Sequence, residues 1–206
     1  MLIVWDLCSG YGGFSEAFYI ASMFPAREYE VFRFENNPAL ENVPKTYNED
    51  VTAWMDWVEK YPAPDIILAS PPCLDFSLGF NGPRAKAQRA GIDYEPDMSL
   101  VEACLDIVDH FKPQIWILEN VAGATTYFRD HPRLGDWEQR IGPFFFWGAF
   151  PIIISGYEPG EDSLGKTAQW NIGDPLRANK RAIIPLKISI GIREAFEHQW
   201  TLRRWC

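Results

Sequence analysis

The chain has 206 residues, of which 47% are hydrophobic and 23% charged, with a formal net charge of −9. That length and apolar content suffice for one sizeable core, so a single domain over residues 1–206 is expected, and no run nears the roughly 18 apolar residues of a membrane span. Four widely separated cysteines without C-x-x-C or His-paired spacing, and a start, MLIVWDLCSG, without a basic region or cleavage site, argue against disulfides, a metal site or export. A cytoplasmic protein with reduced thiols follows as the expectation.

Taken in chain order, short apolar runs end in polar or glycine-rich turns. Residues 2–7, 29–34, 65–69 and 114–118 read as buried strands. Helical patterns lie between them, clearest over 99–111, where Leu100, Val101, Cys104, Leu105, Val108 and Phe111 form one stripe and Ser99 with Glu102 reads as a capping box. Strands alternating with helices predict an α/β fold, a mostly parallel central sheet with helices on both faces. Residues 74–97 and 125–140 interrupt the alternation and read as long loops. The aromatic run 143–154 reads as a further strand, residues 157–179 carry few periodic signals, and a last helix is expected after Pro185 with Ile188, Ile192 and Phe196 facing inward.

Four features sit where successive strands should end. Asp6-Leu7-Cys8-Ser9-Gly10-Tyr11-Gly12-Gly13-Phe14 joins the first strand to a helix at the carboxyl edge of the sheet, where open α/β folds bind ligands. The spacing departs from the G-x-G-x-x-G dinucleotide fingerprint and no P-loop lysine follows, which favours a nucleoside-type cofactor over NAD or ATP; a tight turn with no ligand is the alternative. Glu35 closes the second strand in Phe34-Glu35-Asn36-Asn37, positioned either for ribose hydroxyls or as a solvated strand end. Ser70-Pro71-Pro72-Cys73 follows the third strand, and two prolines stiffen the backbone that carries the thiol, making Cys73 a nucleophile candidate. Glu119, in Leu118-Glu119-Asn120-Val121, ends the fourth strand between apolar neighbours that would raise its pKa and suit it to proton sharing.

These motifs, in this order, resemble those of the DNA (cytosine-5) methyltransferase family, in particular its short phage-type members. DLCSGYGGFSEAF resembles the cofactor glycine motif, SPPCLDFS the nucleophile motif and ILENV the glutamate motif, with weaker similarity in WGAFP and in residues 184–189. The resemblance implies a Rossmann-like methyltransferase fold using S-adenosyl-L-methionine and releasing S-adenosyl-L-homocysteine. By the same resemblance, Cys73 attacks carbon 6 of a flipped cytosine and Glu119 engages N3, with Asn120 orienting the Glu119 loop and Arg181, in Arg177-Ala178-Asn179-Lys180-Arg181, contacting the base. The implied cofactor set is Asp6, Cys8, Ser9, Gly10, Tyr11, Gly12, Gly13, Phe14, Glu35, Asn36, Asp50, Val51, Pro71 and Ser189, with Asp50 on the adenine.

Two departures qualify the substrate. The family's full-length members carry a target-recognition domain, yet few residues separate Arg181 from Ser189. The acidic balance also opposes wide contact with a polyanion, although Arg84, Lys86 and Arg89, Arg177, Lys180 and Arg181, and Arg203 with Arg204 form local basic clusters. DNA, duplex or locally single-stranded, is the implied partner, together with a protein partner supplying affinity or specificity. RNA as substrate, a modified methyl donor, or a non-catalytic cofactor-binding accessory subunit remain the alternatives.

Overall fold

The computed structural model describes residues 1–24, 29–79, 82–158 and 173–203, the side chains of the last four excepted. Among these, seven strands form one sheet in the order β3-β2-β1-β4-β5-β7-β6. They are β1 (Leu2–Leu7), β2 (Tyr29–Phe34), β3 (Thr46–Tyr47), β4 (Ile66–Ala69), β5 (Ile115–Val121), β6 (Gln139–Ile141) and β7 (Phe144–Ala149). The first five are mutually parallel, and β7 runs antiparallel to both β5 and β6. This is the mostly parallel α/β arrangement expected from the alternation of strands and helices, in the Rossmann-like form that the family resemblance implies.

The strand alternation sorts side chains into two layers. From β1, Trp5 and Leu7 join Phe34, Ile67, Leu118 and Trp147 on the face covered by α3 (Ser99–Phe111), within a cluster that includes Val101, Leu105 and Ile107. On the other face, Val4, Val31, Leu68 and Ile117 pack beneath α1 (Glu16–Ser22) and the last helix, α6 (Leu186–Arg203), through Phe18, Ile188, Ile192 and Phe196. The three expected inward residues of α6 are 0%, 3% and 4% exposed, so its apolar stripe faces the sheet as predicted.

Four expectations are corrected. Ser99 is not the cap of α3: Met98 occupies that position, the Asp97 carboxylate accepts from Ser99 N at 2.8 Å, and Glu102 turns instead to His131 and Arg133. The stretch 74–97 contains α2 (Pro83–Ala90), started by Pro83 and closed by Gly91 at φ 67°. The stretch 125–140 contains α4 (Thr125–Phe128) and the start of β6.

The run 143–154 is strand only over Phe144–Ala149. The ladder ends one residue past Gly148, which sits at φ 137° and where a Cβ would lie 2.2 Å from Trp116 O. Beyond it the Gln139 side chain exchanges hydrogen bonds with Ile153 N (2.8 Å) and O (2.7 Å) in place of a further strand pairing. Of the segment expected to be irregular, 173–179 begins with a turn and enters α5 (Arg177–Arg181), and 159–172 lies outside the described residues, as do Arg204 and Cys206. Among the described residues no helix is long and apolar enough to cross a membrane.

Candidate active site

Because β1, β2, β4 and β5 run parallel, the residues that follow them share one edge of the sheet. After β1 the chain turns sharply, with Cys8, Gly10 and Gly12 at φ of 55°, 54° and 75° and Gly12 N donating to Ser9 O at 2.7 Å. A Cβ on Gly12 would lie 2.3 Å from the Arg33 guanidinium carbon, so close approach as well as backbone conformation demands glycine. One on Gly13 would lie 2.6 Å from Ile184 O. Phe14 is buried in the α1 layer, and Tyr11 is half-buried on the turn.

Glu35 emerges from β2 with its carboxylate already engaged. Gly10 N donates to Oε2 at 2.9 Å and Asn37 N to Oε1 at 3.0 Å, which fixes the carboxylate beside the turn while each oxygen keeps capacity for another donor. Two further buried oxygens at this turn, Ser9 Oγ and Asp6 Oδ1, have no hydrogen-bond partner among the described residues. Burial pushes Asp6 up to about 7. Asp50, at the mouth of the next segment, accepts from Thr52 N (2.8 Å) and Oγ1 (2.7 Å), and these bonds, with one from the Asn36 side chain, hold its carboxyl below the ordinary range. Val51 beside it is buried. The turn is thus rich in acceptors, a set that suits a ligand carrying ammonium, hydroxyl and amino donors.

Three of the implied cofactor residues reach the turn differently. The Cys8 thiol lies against Cys104, and that hydrogen bond together with burial pushes it well above its ordinary value; the backbone O of Cys8 accepts from Ser70 Oγ at 3.3 Å. Ser189 is fully buried and its hydroxyl is spent within the protein, donating to Phe14 O at 2.7 Å and accepting from Ala17 N at 3.0 Å. It ties α6 to the start of α1, so Ser189 and Phe14 support the turn from behind.

The loop after β4 is fastened at both ends. Ser70 N donates to Leu7 O at 3.1 Å, the Asn120 amide donates to Pro71 O at 3.1 Å, and Cys73 O accepts from Ser77 N at 2.9 Å. Asn120 is completely buried within β5, so the expected orienting residue acts by joining the Cys73 loop to the Glu119 strand. Glu119 and Asn120 lie inside β5 and not beyond its end, since the antiparallel ladder with β7 extends through Val121. Burial pushes Glu119 up to about 8. The Cys73 thiol is raised by burial and by the Glu119 charge, and is favoured as thiolate by a backbone hydrogen bond and by the Arg181 charge. Glu119 and Arg181, far apart in sequence, thus both act electrostatically on Cys73.

Gly123 and Tyr127, which the sequence reading did not single out, complete the site together with Arg84, read there only as part of a basic cluster, and Asn179, read only within the Arg181 motif. The loop after β5 crosses the Cys73 turn so closely that a Cβ on Gly123 would lie 1.9 Å from Phe76 O. Arg84 fastens the crossing: its Nη1 donates to Gly123 O at 2.7 Å and its guanidinium lies 4.9 Å from the Tyr127 ring centre. Gly123→Ala is therefore expected to lower stability by about 1–3 kcal/mol and to displace the Cys73 loop, read as a lower melting temperature and faster alkylation of Cys73. Wild-type melting and alkylation would show the crossing to be looser. Asn179 of α5 lies 3.9 Å from the Cβ position of Gly10, placing α5 over the glycine turn. Glycine spacing in G-x-G-G announced the turn, but nothing in sequence announces which distant loops touch it.

A family model described as C-5 cytosine-specific DNA methylase matches residues 2–131, a span holding the glycine turn, Cys73 and Glu119. Among solved structures, the chain is similar to a prophage-encoded Escherichia coli protein described as a DNA modification methyltransferase, at 20% identity and TM-score 0.46, over 72% of this chain and 47% of that one. It is also similar to a triple mutant of DNMT2 from Spodoptera frugiperda, at 24% identity and TM-score 0.37, over 60% of this chain and 36% of that one. The chain spans about half the length of the first of these. No curated protein matches it.

Proposed function

Because the chain belongs to the C-5 cytosine-specific DNA methylase family, we propose that it methylates carbon 5 of cytosine in DNA, through a transient bond from Cys73 to a base flipped out of the stack. The observation that carries the reading is the joining of Cys73 to Glu119 through Asn120 and Pro71, beside an acceptor-rich glycine turn and within reach of the Arg181 charge.

The turn residues fit S-adenosyl-L-methionine: Glu35 would take the ribose hydroxyls, Asp6 and Ser9 the amino-acid end, and Asp50 with Asn36 the adenine edge, while Pro71 would border the methyl. When bound, that cofactor supplies the methyl group that carbon 5 takes up. The Cys73 thiolate forms a bond to carbon 6 as the electron pair of the 5,6 double bond moves towards carbon 5, and Glu119, protonated below about pH 8, gives its proton to N3. After carbon 5 has been methylated, a base from solution takes its proton, the pair left behind restores the 5,6 double bond as the carbon–sulfur bond breaks and returns its electrons to Cys73, and Glu119 recovers its proton from N3. Arg181 stabilises the thiolate at both ends of the cycle. Pro71 and Pro72, with φ already fixed, hold the thiol in place at a reduced ordering cost.

Duplex or locally single-stranded DNA is the proposed substrate, and the basic α2, none of whose residues is buried, would meet its backbone. With a net charge of −9, affinity would come in part from a protein partner. The test is incubation with tritiated S-adenosyl-L-methionine and either DNA or RNA, followed by nucleoside analysis. Label in 5-methylcytosine from DNA is expected. Label only from RNA would transfer the chemistry to that substrate, and cofactor binding without label in either would leave an accessory role.

A further inference from the structure

Arg33 is a buried cation inside a parallel sheet, and no step of the proposed chemistry uses it. It is 1% exposed, sits on β2 in register with Asp6 of β1, and lies on the α1 face with Tyr29 and Val31. Charged groups are seldom buried unless their donors are met, and here they are met by three segments at once. Nε donates to Ser15 Oγ (2.9 Å) and Nη2 to Gly12 O (3.0 Å) and Glu16 Oε2 (2.7 Å), while Nη1 donates to Pro44 O (3.0 Å). Ser15 passes the link on to Asp6 Oδ2 at 2.6 Å, and the Tyr19 ring lies 5.0 Å from the guanidinium carbon.

From this geometry we infer that Arg33 is a positioning residue for cofactor binding: its planar fork locks the glycine turn, the start of α1 and the segment leading to Asp50 into one rigid cradle. The contacts explain the choice of side chain. Gly12 must lack a Cβ because the guanidinium occupies that space, and Gly12 O is held from below while the Gly10 amide above it is held by Glu35, two residues on along the same chain as Arg33. Pro44 precedes Lys45, whose O accepts from Arg33 N at 3.0 Å, so backbone and side chain of one residue fix the approach to β3 and thence to Asp50. Arg33 also lines a cavity of 630 Å³ with Tyr11, Glu16, Tyr19 and Pro44, so a shorter side chain would admit water where the fork now stands. Lysine cannot reproduce four directed donations.

This inference rests on the proposed use of S-adenosyl-L-methionine, and the test separates the two. Binding of S-adenosyl-L-homocysteine is measured by calorimetry for the wild type, Arg33→Lys, Arg33→Met and Ser15→Ala, each checked for a cooperative melt, and methyl transfer is measured at saturating cofactor. Expected is a loss of affinity of about tenfold or more in Arg33→Lys, a smaller loss in Ser15→Ala, and a rise in cofactor KM that exceeds any fall in kcat. Should Arg33→Met fail to fold, Arg33→Lys and Ser15→Ala carry the comparison. Wild-type affinity in folded Arg33→Lys and Ser15→Ala would overturn the inference; no binding by the wild type would overturn the functional reading beneath it.

Discussion

Cys73→Ala is expected to lower methyl transfer to DNA by roughly four orders of magnitude or more, with affinity for S-adenosyl-L-homocysteine kept within about twofold of wild type. The separation follows from what holds the loop. Ser70 N and Pro71 O bind the β1 end and Asn120, and Cys73 O closes its own turn, all through the backbone, so the truncated side chain leaves the cradle intact. Without a thiolate, carbon 6 gains no bond and carbon 5 stays a poor nucleophile. Tritium transfer and calorimetry on the same preparations check both halves; transfer near the wild-type rate would remove the covalent route.

Glu119→Gln is expected to lower transfer by about 10²–10⁴-fold and, unusually for a functional substitution, to raise stability at neutral pH. Burial pushes the folded carboxyl from 4.5 up to about 8, whereas the unfolded chain titrates near the lower value. Below about pH 4.5 both states carry the proton. Between 4.5 and about 8 the folded state holds a proton the unfolded state has released, so the wild type loses stability as pH rises, towards a full cost of roughly a few kcal/mol. Glutamine does not ionise, and Asp6, pushed up to about 7, contributes equally to both proteins and cancels in the difference. The melting temperature of Glu119→Gln minus that of the wild type should therefore climb from pH 5 to 8; a flat difference would show that Glu119 is solvated in the fold.

The glycine turn, Glu35 and Cys73 were legible because each sits where a strand meets its loop, announced by an apolar run broken by glycine, by Glu35-Asn36 or by Pro71-Pro72, while Glu119 and Asn120 were legible as polar residues closing an apolar run although the ladder carries β5 on to Val121. Parallel strands then bring them together without further instruction. Less legible were groups whose partners are remote in sequence. Asn120 reads as a neighbour of Glu119, but its amide is spent on Pro71, 49 residues away. Ser189, at a motif resembling a cofactor contact, spends its hydroxyl on Phe14 and Ala17.

Arg33 could have been noticed, since an arginine on the buried side of Tyr29-x-Val31-x-Arg33 breaks an apolar alternation, but the pattern does not say which acceptors surround it. The Ser99 box failed because Asp97 supplies the competing acceptor two residues earlier, leaving Glu102 for Arg133. The strand over 143–154 was overextended because apolar content continues past Ala149 while the ladder does not.

The most direct measurement is the reaction of the protein with S-adenosyl-L-methionine and duplex DNA carrying 5-fluorocytosine at candidate sites. Fluorine at carbon 5 leaves no proton to lose, so the bond from Cys73 to carbon 6 cannot be undone. A denaturation-resistant protein–DNA adduct, formed by wild type, absent from Cys73→Ala and traced to a peptide containing Cys73, is the predicted result. Methylation of ordinary cytosine in DNA with no such adduct, or an adduct that persists in Cys73→Ala, would contradict it.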